Sequence, residues 1–132
     1  MELTTVNPAD LYDPGPNGYS HAIVAAGASR IAYIAGQGGE DRSGNLSDDF
    51  TDQVRQAYAN LTTALQGAGA APEQVTKLTT YVVDHDMSKL AVLTVQLKMT
   101  FGEHLPTQTL VPVPRLALDR MLFEVDAIAV ID

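Results

Sequence analysis

Hydrophobic and polar positions alternate along the C-terminal segment 122–131, which predicts a β-strand because successive side chains of a strand point to opposite faces. One face is wholly apolar and consists of Phe123, Val125, Ala127, Ala129 and Ile131. The other face carries two acids among apolar residues: Leu122, Glu124, Asp126, Ile128 and Val130. We expect the first face to pack on a core. The two carboxylates predict either a solvated rim or the wall of a cleft.

The N-terminal part contains β-rich segments separated by turn-forming sequence. Residues 2–6 predict a short strand, and the loop at 7–20, with three prolines and two glycines, is expected at the surface. Residues 21–27 and 30–37 are rich in β-forming side chains, and a connection of hairpin length joins them. We therefore predict that these two strands pair antiparallel.

Two helices are predicted by apolar residues that recur every three or four positions. The first runs for about 20 residues, with Ser47 as its N-cap and Gly67 and Gly69 at its end. Its apolar stripe consists of Phe50, Val54, Ala57, Leu61, Ala64, Leu65 and Ala68. The second helix is predicted over 88–101, with Ser88 as its candidate N-cap. A strand at 75–84 separates the helices, and a proline-bracketed strand precedes the C-terminal one.

This order of elements predicts an α+β fold in one domain over residues 1–132. We expect a single mixed sheet of about six strands, with both helices packed on one face. Because the segment 121–131 is apolar on both faces, the bare face of the sheet is expected to be buried against other copies of the chain.

Charge and composition limit the classes of partner that we expect for the chain. Lys and Arg total 8 against 16 Asp and Glu, so the formal net charge is −8. A nucleic-acid partner is disfavoured, because phosphate binding relies on clustered basic side chains. The absence of Cys excludes disulfides, thiolate metal sites and cysteine nucleophiles, and fits a reducing cytoplasm. No leader or membrane-spanning segment is recognisable, so we expect a cytoplasmic protein without a membrane partner.

Metal and cofactor sites are not indicated. His21, His85 and His104 are dispersed and do not have the spacing of ligand pairs on a helix or strand. No glycine-rich phosphate-binding pattern occurs. We therefore expect neither a metal nor an organic cofactor.

Several segments, in order, are similar to the Rid, or YjgF-type, superfamily of reactive-intermediate deaminases. They are GYSHA at 18–22, AGQ at 35–37, QVRQAYANLTTALQGAGA at 53–70, VTKLTTYVVD at 75–84, the Pro106-centred strand, Arg115-Leu116 and FEVDAIAV at 123–130. Together they extend the resemblance along nearly the whole chain.

The resemblance implies a fold similar to that of small chorismate mutases and a homotrimer whose sheets form an inner barrel. Ligand clefts would lie between adjacent subunits. Deaminase-type members hydrolyse enamines and imines to 2-oxo acids and ammonia without a metal or organic cofactor. In them a Glu on the last strand orients or activates water, and an Arg on the preceding strand binds the substrate carboxylate.

The resemblance places the catalytic acid at Glu124, a substrate-binding phenol at Tyr19 and a cleft glycine at Gly36. We expect the Glu124 carboxylate to lie in a partly desolvated cleft, where it can act as a general base. Tyr19 is interpreted either as a wall of the cleft or as an ordinary interface aromatic. Asp126 is interpreted as a rim acid or an ion-pair partner of an arginine across subunits. Arg115 becomes an anion anchor only if its loop turns inward.

The chain departs from the family at the arginine, where Gln108 stands instead, followed by Thr109 and Leu110 at further substrate-binding positions. Glutamine cannot supply the charge-assisted, bidentate grip of arginine on a carboxylate. It can donate and accept hydrogen bonds with a neutral group, although it is open to the simpler interpretation of a strand residue that faces solvent.

We therefore expect an imine or enamine hydrolase that acts on substrates other than simple 2-imino acids. The alternative is a ligand-sensing or protein-interaction trimer that keeps the fold without catalysis. A third hypothesis, with less support, is a hydrolase or isomerase of a pathway-specific intermediate.

Overall fold

Six strands and two helices make up the chain, and the computed structural model describes residues 1–132. In order they are β1 (Glu2–Val6), β2 (Ala22–Ala26), β3 (Arg30–Gly38), α1 (Phe50–Gly67), β4 (Val75–Val83), α2 (Met87–Phe101), β5 (Thr107–Val113) and β6 (Phe123–Ile131). The α+β class, with two helices and about six strands, is confirmed.

The strands form two hydrogen-bonded sheets, and a single bridge joins them into one mixed arrangement of six strands. The larger is mixed, with strand order β3-β6-β4-β5, and its β4–β5 pair is parallel. The smaller consists of β1 and β2, which pair antiparallel. The Ser20 N–H donates to the Pro106 carbonyl at 3.0 Å, and a bridge between Ser20 and Thr107 attaches the start of β2 beside β5.

The predicted hairpin between the second and third strands does not form. All five residues of β2 pair with β1, whereas β3 pairs antiparallel with β6. Ser29, in the connection, is already hydrogen-bonded to β6, since its N–H donates to the Ile131 carbonyl at 3.1 Å. Gly27, at φ +74°, lies where the chain leaves one sheet for the other. The connection therefore has hairpin length without joining paired strands.

The core lies between the large sheet and the two helices. The wholly apolar face of β6 is buried there, as its alternation predicted. Helix α1 contributes Tyr58 and Leu61, and α2 contributes Leu97 and Phe101. The Tyr58 ring stacks on the Phe123 ring, with centroids 6.0 Å apart. These contacts place both helices on the same side of the sheet.

Both helices begin at an aspartate, so the predicted serine caps are wrong. The Asp49 carboxylate accepts from the Asp52 N–H at 2.9 Å, and the Asp86 carboxylate accepts from the Ser88 N–H at 2.9 Å. Ser47 instead precedes the cap, where its Oγ accepts from the Asp49 N–H. Both residue types can cap a helix; Ser47 lies two residues before the actual cap, and Ser88 lies inside the first turn of α2.

The side of the large sheet away from the helices, here called the open face, is bare in the single chain. Ile31 and Tyr33 on β3 are 55% and 75% exposed there. Their cross-strand partners Val130 and Ile128 belong to the same face of β6 as Glu124. The burial of this face against other copies stays a prediction. Neither helix has the length and apolar character needed to cross a membrane.

Candidate functional site

Five of the seven predicted site residues form two groups on opposite sides of the large sheet. Glu124 pairs with Tyr81 on β4 and points to the open face. Gln108 pairs with Leu78, whose side chain is fully buried on the helix side. Leu78 and Tyr81 are three residues apart on β4, so their side chains point to opposite sides of the sheet. Their cross-strand partners Gln108 and Glu124 therefore also point to opposite sides.

On the open face, the Glu124 side chain lies directly across Gly36. The ladder between β3 and β6 shifts register between Ile34 and Gln37, which brings Gly36 under the carboxylate. A β-carbon on Gly36 would overlap the Glu124 Oε1 and lie 2.6 Å from its Cδ. The absence of a side chain at Gly36 is therefore what leaves room for the acid in this position.

A second acid and a phenol share this face. The Tyr81 hydroxyl donates to the Asp126 Oδ2 at 3.3 Å. Burial raises the pKa of Tyr81, and the negative charges of Asp126 and Glu124 raise it further. Sequence reasoning did not select Tyr81, although its place on the outward side of β4 was a usable signal. Within one chain the partner of Asp126 is this phenol, while Arg120 pairs with Asp48 at 2.7 Å.

The start of β6 is held by Gln53, a residue that sequence reasoning also missed. The side chain is fully buried, its Nε2 donates to the carbonyls of Ser47 and Arg120, and its Oε1 accepts from the Leu122 N–H at 2.8 Å. One amide thus joins α1 to the loops on either side and fixes the backbone two residues before Glu124. Its position three residues after Phe50 and four before Ala57, within the apolar stripe, was the available signal.

The second group lines a cavity of about 250 Å³ between α2 and β5, here called the α2–β5 cavity. Its walls are Asn17, Tyr19, Leu90, Leu93, Thr94, Leu97, Gln108 and Leu110. The structure therefore brings three predicted residues, Tyr19, Gln108 and Leu110, to one place. The Gln108 Oε1 is buried without a hydrogen-bond partner. No charged side chain is among the walls, so the cavity offers apolar surface and neutral hydrogen-bonding groups.

Tyr19 belongs to an aromatic cluster at the edge of this cavity. Its hydroxyl is hydrogen-bonded to the Tyr12 hydroxyl, and the rings of both residues meet the His21 ring edge-on. The His21 Nε2 lies 2.7 Å from the Tyr12 carbonyl oxygen. Burial, with the neighbouring Tyr12 hydroxyl, raises the pKa of Tyr19 to about 12. The phenol is therefore neutral, and able to donate a hydrogen bond, throughout the physiological range.

The remaining two predicted residues lie apart from both groups. Thr109 is exposed on the open face, where its Oγ1 accepts from the Lys77 Nζ at 2.7 Å. The Arg115 side chain is 76% exposed in the loop before β6 and pairs with Asp119 at 3.4 Å. The structure thus does not bring Arg115 to the α2–β5 cavity or to Glu124.

The chain also contains a larger polar cavity of about 510 Å³ between the 39–47 loop and α1. Asp41, Asp52 and Arg55 are among its walls, but none of the predicted site residues is. No cluster of three or more His, Asp or Glu side chains could hold a metal ion. The chemistry suggested by the sequence is therefore confined to Glu124 with its neighbours and to the α2–β5 cavity.

Comparison with known proteins places this geometry in a family. Residues 14–131 match the family model described as Endoribonuclease L-PSP. A RutC family protein of Pyrococcus horikoshii is 37% identical over 119 residues, which cover 88% of this chain and 90% of the relative.

Solved structures agree with that match. The Yersinia pestis protein YyfB, described as a conserved Rid family protein of unknown function, has a TM-score of 0.93 and 34% identity, with 99% and 100% of the two chains covered. Escherichia coli TdcF, solved with bound serine, has a TM-score of 0.70 and 28% identity, with 86% and 88% covered. The chain belongs to the Rid, or YjgF-type, superfamily.

Proposed function

We propose that this protein hydrolyses the C=N bond of small imines, or of enamines through their imine tautomers, and releases ammonia from substrates other than simple 2-imino acids. The observation that carries the proposal is the carboxylate of Glu124 held over Gly36 on the open face. An acid fixed on a rigid strand is suited to act as a general base towards water.

The proposed site is shared between two copies of the chain. Glu124 and Gln108 point to opposite sides of one sheet, so a single chain does not direct both at one small molecule. A second copy that covers the open face can bring its α2–β5 cavity to Glu124. The exposure of Ile31 and Tyr33 supports such a partner, because large exposed apolar patches mark interaction surfaces. We propose a homotrimer with one such cleft at each interface.

The proposed chemistry needs only water and side chains. Glu124 accepts a proton from water while the water oxygen bonds to the imine carbon, and the C=N electron pair moves to nitrogen. In the proposed cleft, Tyr19 and Gln108 donate hydrogen bonds to that nitrogen, where negative charge develops. Glu124 returns that proton to the nitrogen, which gives a carbinolamine. The hydroxyl proton of the carbinolamine then moves to the nitrogen through Glu124, so that the C–N bond breaks, ammonia leaves and a carbonyl compound remains.

The test is the rate of imine hydrolysis with and without the acid. Imines are generated by an oxidase, and semicarbazide traps whatever is not hydrolysed first. The wild type is expected to lower the amount of trapped imine, and Glu124→Ala to remove at least about a hundredfold of the enzymatic rate, in the range of lost general-base catalysis. Glu124→Gln keeps the size of the side chain and should be equally impaired. Equal rates for the wild type and both variants would exclude the proposal.

A second candidate is ligand binding without turnover. The α2–β5 cavity favours it, because none of its walls has a carboxylate or imidazole that could accept a proton. It predicts that small molecules bind the wild type and Glu124→Ala equally and that neither hydrolyses an imine.

RNA cleavage, named in the description of the family model, is not what we propose here. With 8 basic against 16 acidic residues, the chain lacks the basic surface on which a phosphate backbone relies. A labelled single-stranded RNA incubated with the protein is therefore expected to stay intact.

A further inference from the structure

We infer that the cleft selects imines of aliphatic amines, which carry no carboxylate, over imines of amino acids with the same side chain. The inference rests on the proposed function and names its substrate class. It is carried by the walls of the α2–β5 cavity and by one unpartnered atom in Gln108.

The cavity contains no positive charge to neutralise a carboxylate. Its walls are five apolar or aromatic residues together with Asn17, Thr94 and Gln108. Of the lysines on β4 and α2, Lys77 donates to Thr109 on the open face and Lys89 donates to the Val83 carbonyl. Lys98 is exposed on α2 and is not among the walls. A carboxylate entering the cavity would lose its hydration without an ionic partner, which is strongly unfavourable.

Gln108 adds a preference for an N–H group. Its Oε1 is buried and accepts no hydrogen bond from the chain. An unpartnered buried acceptor is destabilising, and a ligand N–H that reaches it removes that penalty. The Nε2 of the same amide can donate to a lone pair. An uncharged imine offers either its N–H to the Oε1 or its lone pair to the Nε2, whereas a carboxylate would place negative charge beside the unpartnered oxygen.

The apolar walls define the other end of the substrate. Leu90, Leu93, Leu97 and Leu110 surround a volume of about 250 Å³, which suits a short alkyl chain. Each methylene that such a chain buries raises affinity about fourfold until the cavity is full. Leu90, at 37% exposed, is the most exposed of these four leucines, which places it at the solvent side of the wall.

The shared cleft strengthens the same selection. If a second copy covers the cavity with its open face, it brings Glu124 and Asp126 towards the ligand together with Lys77, so the acids outnumber the cation. This net negative charge repels a bound carboxylate, and the repulsion grows as water is excluded. An uncharged imine does not meet this repulsion.

The class of reaction that supplies such a substrate is the two-electron oxidation of a primary amine to its imine. Water then adds across the C=N bond, the C–N bond breaks, and the products are an aldehyde and ammonia. Carbon, nitrogen and oxygen balance with one water consumed, and the hydrolysis itself requires no oxidant or reductant.

Binding of two probes of equal size tests the selectivity without catalysis. Isovaleramide and isovalerate share one alkyl chain and differ in charge and in the N–H group. Calorimetry on the full chain is expected to show isovaleramide binding at least about tenfold more tightly, because the carboxylate is desolvated without a partner. Equal affinities, or tighter binding of isovalerate, would overturn the inference.

A charge-matched pair of variants locates the effect. Gln108→Arg places a cation in the cavity and is expected to reverse the preference towards isovalerate. Thr63→Arg adds the same charge on the exposed side of α1 and should leave the preference unchanged. Gln108→Leu removes the amide and should weaken isovaleramide binding. An unchanged preference in folded Gln108→Arg, checked by circular dichroism, would count against the assignment.

Turnover of a matched pair of imines separates this inference from the proposed function. An amine oxidase acting on 3-methylbutylamine and an amino-acid oxidase acting on leucine give imines with the same side chain, of which only the second bears a carboxylate. Faster hydrolysis of the first supports both ideas. Equal acceleration of both overturns the selectivity and leaves the hydrolase standing. Acceleration of neither overturns the hydrolase, and the two binding probes then decide the selectivity.

Discussion

The Glu124 carboxylate occupies the space that a side chain on Gly36 would fill. The two residues lie on neighbouring strands, and the register shift in β3 brings the glycine under the acid. The position of the proposed base thus depends on the lack of a β-carbon at Gly36 as well as on the strand that carries Glu124.

Gly36→Ala is expected to reduce activity far more than stability. The new methyl group would overlap the end of a flexible side chain, so Glu124 can swing aside at little cost in folding free energy. A displacement of about 1 Å in a catalytic group lowers the rate by about a hundredfold. Steady-state imine hydrolysis and urea unfolding measure the two effects.

Gly67→Ala is the control, because nothing lies within 4 Å of a β-carbon there. It should keep full activity. Loss of stability without loss of activity in Gly36→Ala would contradict the role given to the contact.

Mixed trimers test whether the cleft is shared. Glu124→Ala removes the base, and Thr94→Trp fills the α2–β5 cavity, so each variant alone should be inactive. Refolded together in equal amounts, they should recover about one quarter of wild-type activity, because one interface in four then pairs an intact acid with an intact cavity. Native mass spectrometry verifies that mixed trimers form. Mixed trimers without activity would place both parts of the site in one chain.

Tyr58→Phe is expected to stabilise the fold. The Tyr58 ring is 2% exposed, and its hydroxyl has no hydrogen-bond partner. Removing that hydroxyl should raise the free energy of unfolding by about 1 kcal/mol, since a buried unpartnered polar group is destabilising. Tyr81→Phe provides the comparison, because the Tyr81 hydroxyl donates to Asp126 and its loss should bring no gain. Destabilisation by Tyr58→Phe in urea unfolding would contradict the expectation.

Stability is expected to fall as the pH rises above about 10, where tyrosine ionises in the unfolded chain. In the folded protein burial raises the pKa of Tyr58 and Tyr81, and raises that of Tyr19 to about 12. Above pH 10 the unfolded state therefore binds fewer protons than the folded state, and the free energy of unfolding decreases with pH. The contribution is complete below pH 10 and, for Tyr19, is lost as the pH passes about 12.

Guanidinium unfolding at a series of pH values measures this slope. Tyr58→Phe should make it shallower. A slope that is unchanged in this variant would show that Tyr58 does not take part.

The faces of the strands could be predicted from the sequence, but their partners could not. Alternation along β6 correctly assigned Phe123 to the core and Glu124 to the other side, because a side chain's direction follows from local geometry. The pairing of Ile31 with Val130 joins residues far apart in the chain, and no local pattern encodes it. The short connection before β3 therefore predicted a hairpin that the long-range pairing overrides.

The candidate site, too, could be predicted from the sequence only in part. The resemblance located Tyr19 and Gln108, and the structure places them in one cavity. That Glu124 faces the other way depends on the register between β4, β5 and β6, which the residues alone do not give. Tyr81 and Gln53 were missed because their roles arise from cross-strand and loop contacts.

The small sheet of β1 and β2 has a consequence for motion. Most of its residues are exposed, it has only two strands, and one bridge at Ser20 joins it to β5. A two-stranded ribbon of this kind is marginally stable by itself, so we expect its amide hydrogens to exchange with solvent well before those of the large sheet. Tyr19 immediately precedes the bridge at Ser20. We therefore expect local opening of this ribbon to displace Tyr19 from the wall of the α2–β5 cavity on a timescale separate from that of global unfolding.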